Sequence, residues 1–105
     1  MTDNTYIIKK VTTAVRSIDP DAEIILYGSR ASGTCTDESD WDFLIVSDLA
    51  ADDEKKQMIS RALYKIEWET CEVISPIIHD REYWQSPRTI ITPFYKNVVS
   101  QGIIL

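Results

Sequence analysis

The chain has 105 residues, 44% hydrophobic and 27% charged, so it offers one small domain with a real core and little room for a second lobe. Its net charge of −6 excludes a sequence-independent nucleic-acid binder, which needs clustered Lys and Arg. No apolar run approaches the ~20 residues of a membrane span, the N-terminus lacks signal-peptide character, and Cys35 and Cys71 are too scattered for a disulfide framework or zinc motif, which together point to a cytoplasmic protein with reduced thiols.

Ile7, Ile8, Val11, Ala14, Val15 and Ile18 recur at helical spacing and predict an amphipathic helix over 3–18, stopped by Asp19-Pro20-Asp21. Glu23 to Tyr27 is a short β-rich run ending at Gly28, and a helical turn from Ser29 to about Ser32 follows, ended by Gly33. Asp40 to Ser47 reads as a second strand, apolar on both faces beyond its start and therefore inside a covered sheet. Asp52 to Trp68 carries Met58, Ile59, Ala62, Leu63 and Ile66 on one helical face. Thr70 to Ile78 reads as a third strand, weakened at its far end by Pro76, and His79 to Arg88 as irregular and polar. Thr92 caps a last helix with Pro93 at its first position, Phe94, Tyr95, Val98 and Val99 as its stripe, and Gly102 as its end. This alternation predicts an α/β (α+β) domain, a small mixed β-sheet of three or more strands with helices packed on it.

Two features point to chemistry. A helix beginning at Ser29 would aim backbone N–H groups and its positive end at a phosphate. Asp40 and Asp42, two apart in a strand, share a face, leaving Trp41 and Phe43 to the core on the other. Carboxylates held that close repel unless a cation lies between them. Nucleotidyl transfer needs this pairing, because two Mg²⁺ ions about 4 Å apart stabilise both the attacking and the leaving oxygen. Two or three Asp or Glu side chains suffice to hold them. Glu72, the only acidic residue inside the expected third strand, is the candidate third carboxylate, binding an ion and accepting the acceptor's proton.

The run Tyr27-Gly28-Ser29-Arg30-Ala31-Ser32-Gly33, followed by Ser39-Asp40-Trp41-Asp42-Phe43, resembles the nucleotidyltransferase superfamily of DNA polymerase β. It is most similar to its minimal nucleotidyltransferase (MNT) branch, and the ending from Pro93 to Leu105 is similar to that family's C-terminal helix. The resemblance implies a single nucleotidyltransferase-like domain over 1–105. Gly28 and Ser29 would bind the β- and γ-phosphates of a nucleoside triphosphate, ATP foremost, and Asp40, Asp42 and Glu72 would hold Mg²⁺. It also implies transfer of a nucleoside monophosphate, AMP from ATP, onto an acceptor. A HEPN-type protein partner follows from the same resemblance, in a toxin–antitoxin pair whose MNT member neutralises the toxin. Two positions depart from the family pattern: Ser32 stands where Arg is frequent, and Glu72 where Asp is. Both keep open a second reading, a catalytically weak or inactive antitoxin that only binds its partner.

Several residues carry alternatives. Arg30 suits a triphosphate oxygen or a salt bridge to Asp37 or Glu38. His79 reads as an exposed loop histidine rather than a catalytic base, while Trp68, Tyr83 and Trp84 are open to a base or a protein partner. Asp37, Ser39 and Trp41 lack the ligand pattern of a calcium loop, and Ser29 lacks the setting of a nucleophilic serine. Exposed aromatics near 83–84 are compatible with a homo-oligomer.

Overall fold

The computed structural model describes residues 4–33 and 38–105. Cys35 and Asp37 lie outside them. Helix α1 (Asn4–Ile18) leads into strand β1 (Glu23–Tyr27), the short helix α2 (Ser29–Ser32) and strand β2 (Trp41–Val46). A 3-10 turn (Asp48–Ala51), helix α3 (Asp53–Thr70) and strand β3 (Ile74–His79) follow. The chain closes with α4 (Arg81–Trp84), α5 (Pro87–Ile90), α6 (Pro93–Gln101) and β4 (Ile103–Ile104).

Among the described residues the strands form one sheet in the order β3-β2-β1-β4. β1 runs antiparallel to both β2 and β4, whereas β2 and β3 are parallel. A parallel pair needs a long crossover, and α3 supplies it. The sheet is therefore mixed, with helices packed on both faces, as the alternation of elements predicted. No helix among the described residues is long and apolar enough to cross a membrane.

Alternation along the strands sorts side chains between the two faces. Ile24, Leu26, Trp41, Phe43 and Ile45 pack beneath α1 and α3, against Ile7, Val11, Val15, Ile59, Leu63 and Ile66. Ile25, Leu44 and Val46 face the other way, under Val98 of α6 and Trp84 of α4. Tyr27 and Ile77 border this second, smaller core. Trp41 and Phe43 are 1% and 0% exposed, so both are core residues as expected. Arg81 pins α4 by donating to Glu23 Oε1 at 2.8 Å and Asp48 Oδ1 at 3.2 Å.

Three expectations need correction. First, helix α3 runs on to Thr70 because Glu67-Trp68-Glu69-Thr70 contains no breaker, and it ends at Cys71 in the left-handed region (φ 58°). The third strand therefore starts at Ile74, and Glu72 lies before it rather than inside it. Pro76 sits within β3, tolerated because that strand is an edge of the sheet. Second, His79–Arg88 is not irregular. His79 is the last residue of β3, and two short helices follow, capped by Asp80 (accepting from Tyr83 N) and begun by Pro87. Third, the strand at Ile103–Ile104 went unforeseen; it pairs with Ile25 and Leu26.

Candidate active site

Gly28 ends β1 at φ 75° and ψ −157°, a conformation essentially confined to glycine. It then receives the Ala31 and Ser32 N–H groups on its carbonyl oxygen, both at 3.1 Å, which starts α2. Glycine is needed here for a second reason. A Cβ at this position would overlap Asp42 Oδ2 and lie 3.3 Å from Asp42 Cγ. The glycine-serine turn and the second aspartate are thus in direct contact.

The sheet register assembles the rest. Tyr27 lies opposite Asp42 across the β1–β2 pair, and Ser75 lies beside Asp42 across the β2–β3 pair. Matched register positions project to the same face. Asp40, one residue before β2, continues that face, and its Oδ2 accepts a long 3.4 Å contact from Ser75 Oγ. Asp42 is half-buried and Asp40 exposed. Burial, then the neighbouring Asp40 charge, push the Asp42 carboxyl above its ordinary range. Burial, with the Asp42 charge adding to it, pushes the Tyr27 phenol up to about 12, so Tyr27 stays neutral and can donate a hydrogen bond.

Neither aspartate forms an ion pair with a described residue. Two hard oxygen donors under mutual repulsion, one of them partly desolvated, suit a divalent cation. Magnesium is commonly held by one or two carboxylates, with water and substrate phosphate completing its shell. The pair therefore fits one such ion. A third carboxylate does not join them, because no group of three potential ligands occurs among the described residues.

Glu72 is engaged elsewhere. Its Oε2 accepts from Trp41 Nε1 at 3.3 Å and lies 3.7 Å from Arg30 Nη2. Trp41 belongs to the core beneath α1 and α3, the face opposite the aspartates. Arg30 is drawn into the same cluster. Its guanidinium lies 4.5 Å from the centre of the Trp41 ring and donates to the Ser39 carbonyl oxygen, at 2.9 Å from Nη2 and 3.3 Å from Nε. With its side chain only 8% exposed, Arg30 ties α2 to the residues leading into Asp40.

His79, half-buried, stacks 4.5 Å from Tyr83 and 6.3 Å from Trp84, not in an exposed loop. Trp84 is a buried core residue, whereas Tyr83 and Trp68 are exposed. Sequence reasoning missed Ser75 and Tyr27, whose place beside Asp42 depends on strand pairing. Ser75, a hydroxyl between the apolar neighbours Ile74 and Pro76, was the available signal.

The family model for the nucleotidyltransferase domain matches residues 8–105. The chain belongs to that family. A crystal structure of a provisionally named nucleotidyltransferase shares 29% identity with this domain at a TM-score of 0.54, over 74% of this chain and 83% of the other. A second, from Sulfolobus solfataricus and also provisionally named, aligns over 94% of this nucleotidyltransferase domain and 76% of its own chain, at 21% identity and a TM-score of 0.58. That second likeness is one of fold. No curated protein matches the chain.

Proposed function

We propose that this domain transfers a nucleoside monophosphate, AMP from ATP, to an acceptor, with Asp40 and Asp42 as the magnesium-binding pair. The observation that carries the reading is the contact between the Gly28 turn and the Asp42 carboxylate. It supports the reading because the turn that would hold phosphate touches one of the carboxylates that would hold the cation. When bound, the ion would offset triphosphate charge and stabilise the oxygens on which charge develops.

The chain's own contributions follow from position. The Ser29 hydroxyl and the first N–H groups of α2 would donate to the β- and γ-phosphates. Asp40 and Asp42 supply the anionic oxygens for the cation. Arg30, by its bonds to Ser39, and Glu72, by its bond to Trp41, position the Asp40–Asp42 run rather than touching the nucleotide. The acceptor oxygen attacks the α-phosphorus and gives up its proton to solvent water, the bond to the bridging oxygen breaks, and pyrophosphate leaves.

One observation favours the second reading, a partner-binding antitoxin of weak or no activity facing a HEPN-type toxin. Glu72, the expected third carboxylate, is turned toward Trp41 and Arg30, so among the described residues only Asp40 and Asp42 converge, the fewest carboxylates that such a site needs. The choice is made by incubating the purified chain with α-labelled ATP, Mg²⁺ and candidate acceptors, a HEPN-type protein among them. Label transfer that disappears in folded Asp40→Asn and Asp42→Asn variants supports the enzyme. Stable complex formation without any Mg²⁺-dependent transfer supports the binding module.

A further inference from the structure

We infer that the small cavity beside Gly28 is the seat of the nucleotide base, where Asn97 and Gln101 read the base and favour adenine over guanine. The inference rests on the nucleotide reading above and adds the base-specific part of the substrate. The cavity holds about 270 Å³ and is lined by Tyr27, Gly28, Phe94, Asn97, Val98 and Gln101. Gly28 belongs both to this lining and to the phosphate-facing turn, so the two compartments adjoin. Pockets that enclose whole ligands run about 300–1,000 Å³, so a space of this size suits one ring system.

Its walls have the chemistry that bases require. The Tyr27 and Phe94 rings meet edge to face at 5.4 Å and present an aromatic side to a flat heterocycle. Asn97 and Gln101 lie four residues apart on α6 and so share one face of that helix. Both are exposed, and neither side-chain amide hydrogen-bonds to a described residue. Each amide presents a donor beside an acceptor. That pattern complements adenine, whose exocyclic amine lies next to a ring nitrogen acceptor. Guanine is most often read by a cationic fork on its two adjacent acceptors, and no Lys or Arg lines the cavity.

Calorimetric titration of the full chain with Mg²⁺ and, separately, ATP, GTP and inorganic tripolyphosphate tests this. The expected order is ATP about tenfold tighter than GTP, with tripolyphosphate binding more weakly than ATP. The Asn97→Ala/Gln101→Ala double variant should bind ATP about tenfold more weakly, lose its preference over GTP, and hold tripolyphosphate as the unsubstituted protein does. Both residues are exposed, so the substitutions should leave the fold intact. Failure of the unsubstituted chain to bind any of ATP, GTP and tripolyphosphate overturns the underlying nucleotide reading. Tripolyphosphate binding with ATP no tighter, a preference for GTP, CTP or UTP, or an ATP preference that survives the double substitution overturns the base assignment alone.

Discussion

Replacing Gly28 with alanine perturbs the fold and the site by separable amounts. At φ 75° and ψ −157° an alanine pays about 1–3 kcal/mol of backbone strain, less about 0.4–1 kcal/mol regained from a stiffer unfolded chain. The new methyl group also occupies the place of Asp42 Oδ2, so the carboxylate must swing away from the turn. Gly33→Ala is the matched control. Gly33 has φ 81° and ψ 8°, also left-handed, but no described residue lies within 4 Å of a Cβ there. It should cost about 1–2 kcal/mol through conformation alone. Urea unfolding of both variants should show comparable midpoint losses at unchanged slope. Titration with Mg²⁺ and ATP should then separate them, with affinity falling at least about tenfold for Gly28→Ala and holding for Gly33→Ala. Equal nucleotide affinities in the two variants would refute the contact between turn and carboxylate.

Other residues give sharp expectations. Gly102 has an ordinary φ of −71°, yet a Cβ there would lie 2.5 Å from the Val98 carbonyl oxygen and 2.6 Å from Ile25 Cγ2. Gly102→Ala should therefore cost about 1–3 kcal/mol in urea unfolding, and no loss would mean that α6 does not dock on β1 as described. Buried Asp19 accepts from Ser47 Oγ at 2.5 Å and from Asp21 N at 3.0 Å, so Asp19→Ala should cost about 1–3 kcal/mol by removing the acceptor of the buried Ser47 O–H, whose oxygen keeps only the Leu49 N–H. Burial, then the Lys56 charge, hold the His79 imidazole below its ordinary range. The unfolded chain thus binds more protons than the folded one just below pH 6.5, and stability falls as pH drops through that window. His79→Gln should flatten the dependence of Tm on pH between about 7 and 5.5, and an unchanged slope would assign it to other groups.

Local signals were dependable where a segment carries its own punctuation. The Asp19-Pro20 stop, the run from Glu23 to Tyr27, the turn between Gly28 and Gly33 and the Thr92-Pro93 start all lie where sequence reasoning put them. In each case the deciding residue sits within the element or beside it. The third strand was misplaced because Thr70 to Val73 is as compatible with helix as with strand, and the choice falls to Cys71 adopting a left-handed cap. β4 has only two residues and exists by pairing with β1, which no local pattern announces. Trp84 looked like a surface aromatic because its neighbours Tyr83 and Gln85 are polar and exposed, yet α4 turns it alone into the second core.

The same division holds for the candidate site. Asp40 and Asp42 share a face through spacing, and their approach to the glycine turn follows from the antiparallel register of Tyr27 with Asp42. Spacing alone could not place Arg30, suited to a phosphate oxygen or to a salt bridge, or Glu72, suited to a metal ion or to an exposed strand edge. In the structure Arg30 lies over the Trp41 ring, and Glu72 accepts from the Trp41 indole N–H. The charge that looked out of place in an apolar strand is outside the strand and answers the indole.

A crystal structure of the chain grown with Mn²⁺ and a non-hydrolysable ATP analogue bears on all of this most directly. Anomalous density should appear at the Asp40 and Asp42 carboxylates, with the triphosphate running over Gly28 and Ser29. Mn²⁺ bound away from both aspartates, or a nucleotide seated elsewhere on the molecule, would contradict the reading of this site as the seat of nucleotidyl transfer.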